Sequence, residues 1–259
     1  MNTRTLIAAT LLALAPAAMA ADAAGVIAES ERRIKSNSEK TVYRMELLDG
    51  GGQVQQTRGI ELYYKKADGL ETTLFKFTSP PVVQGTGLLI VDAGKPVSDI
   101  WMYLPATRRI RRIAGAEKSN WFMGTEFTHE DFEDYKASAY TFQVDKEDHD
   151  CGEQQKCFVI SAVASDSAEK ESSGYGKKIY WIEKQTMYPV RVDYLDKARA
   201  PAKRLDVRKL ARAGNYWRPQ LYEMRNLVNG RITRLTALSR EVDAKLDDFY
   251  VSQRYLRSE

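Results

Sequence analysis

The chain has 259 residues, with 39 Lys and Arg against 35 Asp and Glu, a formal net charge of only +4. That slight excess argues against nucleic acid as a partner, and an apolar content of 43% is too high for a disordered chain. Two His and two Cys leave little material for a zinc site or a metal cluster.

Residues 1–20 read as a cleaved secretory leader. Arg4 gives a short cationic start, residues 5–15 are apolar, Pro16 breaks the run, and Ala18-Met19-Ala20 is an A-x-A cleavage pattern. The run is shorter than the roughly 20 residues a helix needs to cross a bilayer, and no later stretch approaches that length. No Cys follows the cleavage pattern, so the mature end is expected to carry no lipid. The expectation is a periplasmic monomer in which residues 21–259 form one domain.

The first element of that domain is a helix over residues 25–36, with Val26, Ile27 and Ile34 on one face. Strands follow. Residues 41–48 alternate, with Tyr43, Met45 and Leu47 on one face and Arg44 and Glu46 on the other. Gly50-Gly51-Gly52 turns the chain into 54–65, and Ala67-Asp68-Gly69 turns it again into 71–78, which Pro80-Pro81 stops. Short apolar strands cover 87–91 and 99–104, and 108–113 pairs back after Pro105. Later strands are expected at 139–146, 157–164, 177–184, 189–195, 203–211, 220–228 and 231–242. Asn229-Gly230 between the last two is a strong hairpin signal. About a dozen strands with tight turns predict a meandering antiparallel sheet, mainly β with a little helix.

Residues 114–135 break the rhythm. Thr128 can cap a short helix reaching Asp134. A stretch without strand period that still carries Trp121, Phe122, Met123 and Phe127 suits a lid or binding loop, with a core plug as the plainer reading.

Cys151 and Cys157 bracket a polar loop, and an oxidising compartment favours a disulfide that pins a hairpin tip. A redox pair is the alternative, but the spacing is not C-x-x-C. Arg108, Arg109, Arg111 and Arg112 form a basic patch: a solvated strand edge, or a surface for anionic headgroups or an acidic partner. Glu126, His129, Glu130, Asp131, Glu133 and Asp134 crowd one stretch, but a single His among carboxylates is a weak metal signal, and Asp131 and Asp134 read as easily as surface charges. His149 is expected at a solvent-facing loop tip. No nucleophile elbow or Gly-rich phosphate loop occurs, so catalytic residues, metal and cofactor are all expected to be none.

Three blocks in order then carry a resemblance: Ile100-Trp101-Met102-Tyr103-Leu104-Pro105, Arg108-Arg109-Ile110-Arg111-Arg112-Ile113, and residues 122–132 from Phe122-Met123-Gly124-Thr125 to Asp131-Phe132. Ile179-Tyr180-Trp181-Ile182-Glu183 and Asp248-Phe249-Tyr250 agree. The sequence resembles the outer membrane lipoprotein-sorting proteins, relatives of the lipoprotein carrier LolA. The resemblance implies a curved, incomplete antiparallel β-barrel with short helices over its open face and an apolar cavity for acyl chains. It also implies a carrier of lipids or lipidated proteins, working with a membrane-embedded exporter or an outer-membrane acceptor. A sensor module of the same fold is the alternative. On that basis Trp101, Tyr103, Trp121, Phe122, Met123, Phe127 and Trp181 are the candidate cavity residues.

Overall fold

The computed structural model describes residues 22–95, 97–133, 137–152 and 155–258; the expected leader and Asp134 lie outside these. Helix α1 (Ala23–Ile34) comes first, capped by Asp22, whose carboxylate accepts from the backbone N–H groups of Ala24 and Gly25. Strands β1 (Ser38–Leu48), β2 (Val54–Ala67), β3 (Leu70–Ser79), β4 (Gly87–Asp92), β5 (Asp99–Leu104) and β6 (Arg109–Ile113) follow as a meander. After a non-strand segment come β7 (Tyr140–Asp150), β8 (Lys156–Ala164), helix α2 (Ser167–Ser172), β9 (Tyr175–Glu183), β10 (Pro189–Asp196), β11 (Pro201–Ala213), β12 (Tyr216–Asn226) and β13 (Ile232–Val242). A short C-terminal helix, α3 (Gln253–Arg257), ends the chain.

All 13 strands join one antiparallel sheet in the order β6-β5-β4-β3-β2-β1-β13-β12-β11-β10-β9-β8-β7. The chain is thus two meanders joined at β1 and β13, and the sheet is not closed. Its two edges, β6 and β7, flank the same irregular segment in sequence. That segment must therefore travel from one edge to the other, and it does so as a strap across the concave face.

Two neighbouring strap residues measure the curvature. The Phe132 ring lies 4.7 Å from that of Phe75 on β3, while Asp131 pairs with Lys203 on β11. In a flat sheet β3 and β11, five strand spacings apart in this order, would stand about 24 Å apart. Consecutive residues reach both only because the sheet is curled.

Alternation sorts the core onto two faces. Tyr43, Met45, Ile60, Phe77, Leu88, Ile90, Ile100 and Met102 pack on the concave side with Phe122 and Phe127 of the strap. Tyr63, Leu74, Leu89 and Tyr103 face the other way and pack beneath Tyr250, Tyr255 and Leu256 of the C-terminal segment. α1 seats Ala23 and Ile27 on Ile160, Ile182 and Met187 at the β8–β9 end. Cys151 and Cys157 form the expected disulfide across the β7–β8 tip.

Two local differences from the sequence reading have clear causes. The Asn229-Gly230 hairpin exists, but its loop spans residues 227–231 and only Gly230 takes a left-handed φ, at 76°. The Asn226 side chain accepts from the N–H groups of Val228 and Asn229 at 2.9 and 3.2 Å, which ends β12 early and opens a wider tip. His149 lies against Trp181, ring centroids 5.3 Å apart, because β7 continues to Asp150 and lays it on the sheet's surface.

Candidate functional site

Between α1, the strap and the concave sheet lies a cavity of about 400 Å³. Its apolar wall is Leu62, Phe75, Phe127, Phe132, Leu205 and Leu235. That volume falls within the range of small-molecule sites. Polar groups gather where α1 ends. Glu39 pairs with Arg218 at 2.7 Å and Arg240 at 3.0 Å, and Arg218 also donates to Ser36 at 3.1 Å. Lys35 pairs with Glu71 at 2.8 Å, where the two lysines Lys35 and Lys66 outweigh burial and hold the Glu71 carboxyl down at about 2. Glu31 differs. Burial pushes its carboxyl up, and its buried Oε1 has no hydrogen-bond partner.

The strap makes one side of this cavity, through Phe127, Asp131, Phe132 and Glu133. Its tip is a tight turn in which Met123 and Gly124 both take positive φ, 50° and 72°, and the Phe122 N–H donates to the Phe127 carbonyl at 2.8 Å. Phe122 stacks on Phe77 at 5.6 Å.

Carboxylates then fix the strap one after another, most of them to the sheet and its connections. Glu126 accepts from Asn226 at 2.9 Å and pairs with Arg231 at 3.1 Å. Glu130 accepts from the Ser173 hydroxyl at 2.6 Å and the Gly174 N–H at 2.8 Å. Asp131 pairs with Lys203 and accepts from the Tyr175 hydroxyl at 2.7 Å, both ionic side chains being only 1% exposed. Glu133 pairs with buried Lys118 at 2.5 Å, and Lys118 lies 3.8 Å from Glu169 of α2. Lys118 lies just after β6, one edge of the sheet, and Glu169 lies on α2 between β8 and β9, so this contact ties the start of the strap to the connection that leads into β9.

The reading of Asp131 as a surface charge is therefore corrected: its side chain is buried against Lys203. The sequence offered only a weak hint: Lys203 falls at the position that alternates with Leu205 and Val207 on its strand. Among the described residues no group of His, Cys, Asp and Glu is placed to hold a metal.

The aromatic candidates divide by face. Phe127 lines the cavity, Phe122 is buried in the concave core, and Met123 packs partly buried beside it. Trp121 is half exposed, with the Lys203 ammonium 5.1 Å from its ring. Trp101 and Tyr103 lie on the opposite face of β5, under the C-terminal segment. Trp181 stands against Arg191, whose guanidinium is 3.5 Å from its ring. Both faces of β5 are apolar in sequence, so alternation alone does not say which one points inward. Residues that sequence reasoning missed, Leu62, Phe75, Phe132, Leu205 and Leu235, sit at ordinary inward positions of their strands or on the strap. Arg111 pairs with Glu117 at 2.5 Å and Arg112 with Asp99, while Arg108 and Arg109 are exposed without an ion pair among the described residues.

His129 gives the strap a pH response. It is buried beside Phe122, 5.7 Å between ring centroids, and neither ring nitrogen has a well-aligned partner. Burial pushes its pKa below 6.5, outweighing the favourable carbonyl of Asn120. The unfolded chain then binds a proton that the native state refuses, so stability falls as pH drops below 6.5 toward the native value. Glu130 opposes this, since burial raises its carboxyl and favours the protonated native form above 4.5. His129→Phe is expected to melt at the same or higher temperature and to flatten the loss of stability between about pH 7 and pH 5. Parallel melting curves for variant and parent across that range would refute the assignment.

The comparisons with known proteins agree on the architecture. A DUF1329-like family model, described as "Uncharacterized protein", matches residues 69–258. An outer membrane lipoprotein-sorting protein domain from Vibrio parahaemolyticus is 26% identical, with 91% of this chain and 98% of that one covered at a TM-score of 0.82. A DUF1329 family protein from Desulfovibrio piger is 22% identical over 90% and 97% of the two chains, TM-score 0.81. A LolA superfamily protein from Nitrosomonas europaea is 15% identical over 91% and 100%, TM-score 0.68, a likeness of fold. No curated protein matches the chain.

Proposed function

This chain belongs to the DUF1329-like family and has the LolA-like fold, and from that premise we propose that it carries a lipid, or the acyl chains of a lipid-modified protein, through the periplasm. The observation that carries the reading is the apolar cavity between α1, the strap and the sheet. Each methylene moved from water into such a space is stabilised by about 0.8 kcal/mol, enough to hold an amphiphile reversibly without covalent chemistry. Residues 1–20 serve as the export leader. Cargo is taken from a membrane or a membrane-embedded exporter and given to an outer-membrane acceptor, with movement of the strap controlling release.

Native mass spectrometry of protein purified from a periplasmic extract tests this. The expected result is a stoichiometric lipid adduct that organic extraction removes and a fluorescent fatty acid replaces. Protein that emerges without lipid and does not bind the fatty acid would refute the carrier reading.

A further inference from the structure

One rim of the sheet carries apolar side chains that the fold leaves in water. In the sheet order, the β5–β6, β3–β4, β1–β2 and β12–β13 tips follow one another along the same end. Their contacts agree: a Cβ on Gly85 would lie 3.1 Å from Pro105, and one on Gly50 would lie 2.9 Å from the Asn229 carbonyl. Successive tips on such a rim stand about 10 Å apart. Val82 on the β3–β4 tip is 79% exposed and Val228 on the β12–β13 tip is 85% exposed. Val54, at the start of β2, and Leu227 are exposed between and beside them. Trp121 joins the same end, 50% exposed, since the strap is tied there by Arg58 to the Met123 carbonyl and by Arg231 to the Gly124 carbonyl.

Charge on this rim has one prevailing sign. Arg108 and Arg109, exposed and without an ion pair among the described residues, stand at the β5–β6 tip, and exposed Arg199 at the β10–β11 tip. The two acids at these tips are engaged by their own turns: Asp49 accepts from the N–H groups of Gly51 and Gln53, and Asp196 from that of Ala200. Apolar tips flanked by free guanidinium groups match a bilayer surface, where acyl chains take the valines and anionic phosphates the arginines.

We propose that this rim is a membrane-docking edge for bilayers rich in anionic lipid, with Val82, Val228 and Trp121 entering the interface and Arg108 and Arg109 meeting phosphate groups. It is a site distinct from the cavity and does not depend on the carrier reading. Both valines are exposed, so the fold does not need them.

Co-sedimentation with vesicles of phosphatidylglycerol, and of phosphatidylcholine alone, tests the proposal. The protein is expected to bind the anionic vesicles and to release as salt rises. The double variant Val82→Asp/Val228→Asp should weaken that binding at least tenfold, and Arg108→Glu/Arg109→Glu should weaken it comparably and remove much of the salt dependence. Both variants should melt like the parent and bind a fatty acid in the cavity equally well. Absence of binding to anionic vesicles, or binding unchanged in both variants, overturns the proposal. A parent protein that is dimeric in solution and becomes monomeric in the valine variant also overturns it, because a second copy would then be the occupant of the rim.

Discussion

Replacing Asp131 with Ala is expected to lower the melting temperature by about 10 °C. The carboxylate is 1% exposed, paired with an equally buried Lys203, and also holds the Tyr175 hydroxyl at 2.7 Å. Removing it leaves an ammonium in a pocket of rings, with Trp121, Tyr175 and Tyr194 centroids 5.1, 5.0 and 5.3 Å away. Breaking one partner out of a buried pair costs about 3–5 kcal/mol, and in a chain of this size each kcal/mol moves the midpoint by about 2–4 °C. The aromatic faces soften the penalty without replacing the carboxylate. Removing both charges together, as Asp131→Leu/Lys203→Met, should recover most of the loss, since no uncompensated charge remains. Calorimetry of the three proteins decides the matter. A single variant melting within a degree or two of the parent would mean that the strap is held by its aromatic contacts alone.

Leu62→Trp is expected to weaken binding of a fluorescent fatty acid on the order of 100-fold, if the cavity holds acyl chains. Leu62 is a half-buried residue on β2 whose side chain lines the cavity opposite Leu205 and Leu235. An indole there occupies space that about four methylenes of a ligand would fill, and about 0.8 kcal/mol for each adds to roughly 3 kcal/mol, two decades of affinity. The free volume accepts the ring, so the melting temperature should move little. Leu238→Trp, at an exposed position of β13, is the matching control and should bind the probe like the parent. Equal affinities for Leu62→Trp and Leu238→Trp would place the acyl site elsewhere.

Most of the fold was legible because strands announce themselves locally. Alternation at Tyr43, Met45 and Leu47, turn residues at Gly50 and Asp68, and the break at Pro80 bring each strand within a few residues of its observed limits. The irregular stretch after β6 was legible for the same reason, by its lack of period. What alternation does not contain is pairing between distant strands. Nothing local in residues 38–48 says that their second neighbour is 232–242. Without that pairing the sheet has no defined edges, and the strap's route across the concave face stays hidden. The acidic run was ambiguous for a related reason: Glu130 and Asp131 look like solvated charges until Ser173 and Lys203 are brought under them. The large aromatics drew attention as cavity residues because of their size, yet Trp101 and Trp181 occupy the outward positions of their strands. The apolar part of the cavity wall is instead made of leucines, phenylalanines and tyrosines that the pattern could not distinguish from core.

The junction of β1 with β13 has a kinetic meaning. Every other strand pairing joins sequence neighbours and closes a short loop, whereas Glu39 meets Val242 across most of the chain. Loop-closure entropy therefore falls mainly on this one ladder, and high contact order is concentrated there. Two half-sheets are able to grow hairpin by hairpin from opposite ends of the sequence while the central ladder waits for the last strand. Until it forms, the row of backbone donors and acceptors along β1 is an unprotected template for another chain. Refolding at high protein concentration should accordingly suffer most from misassembly at that ladder, in the middle of the finished sheet and not at its visible edges.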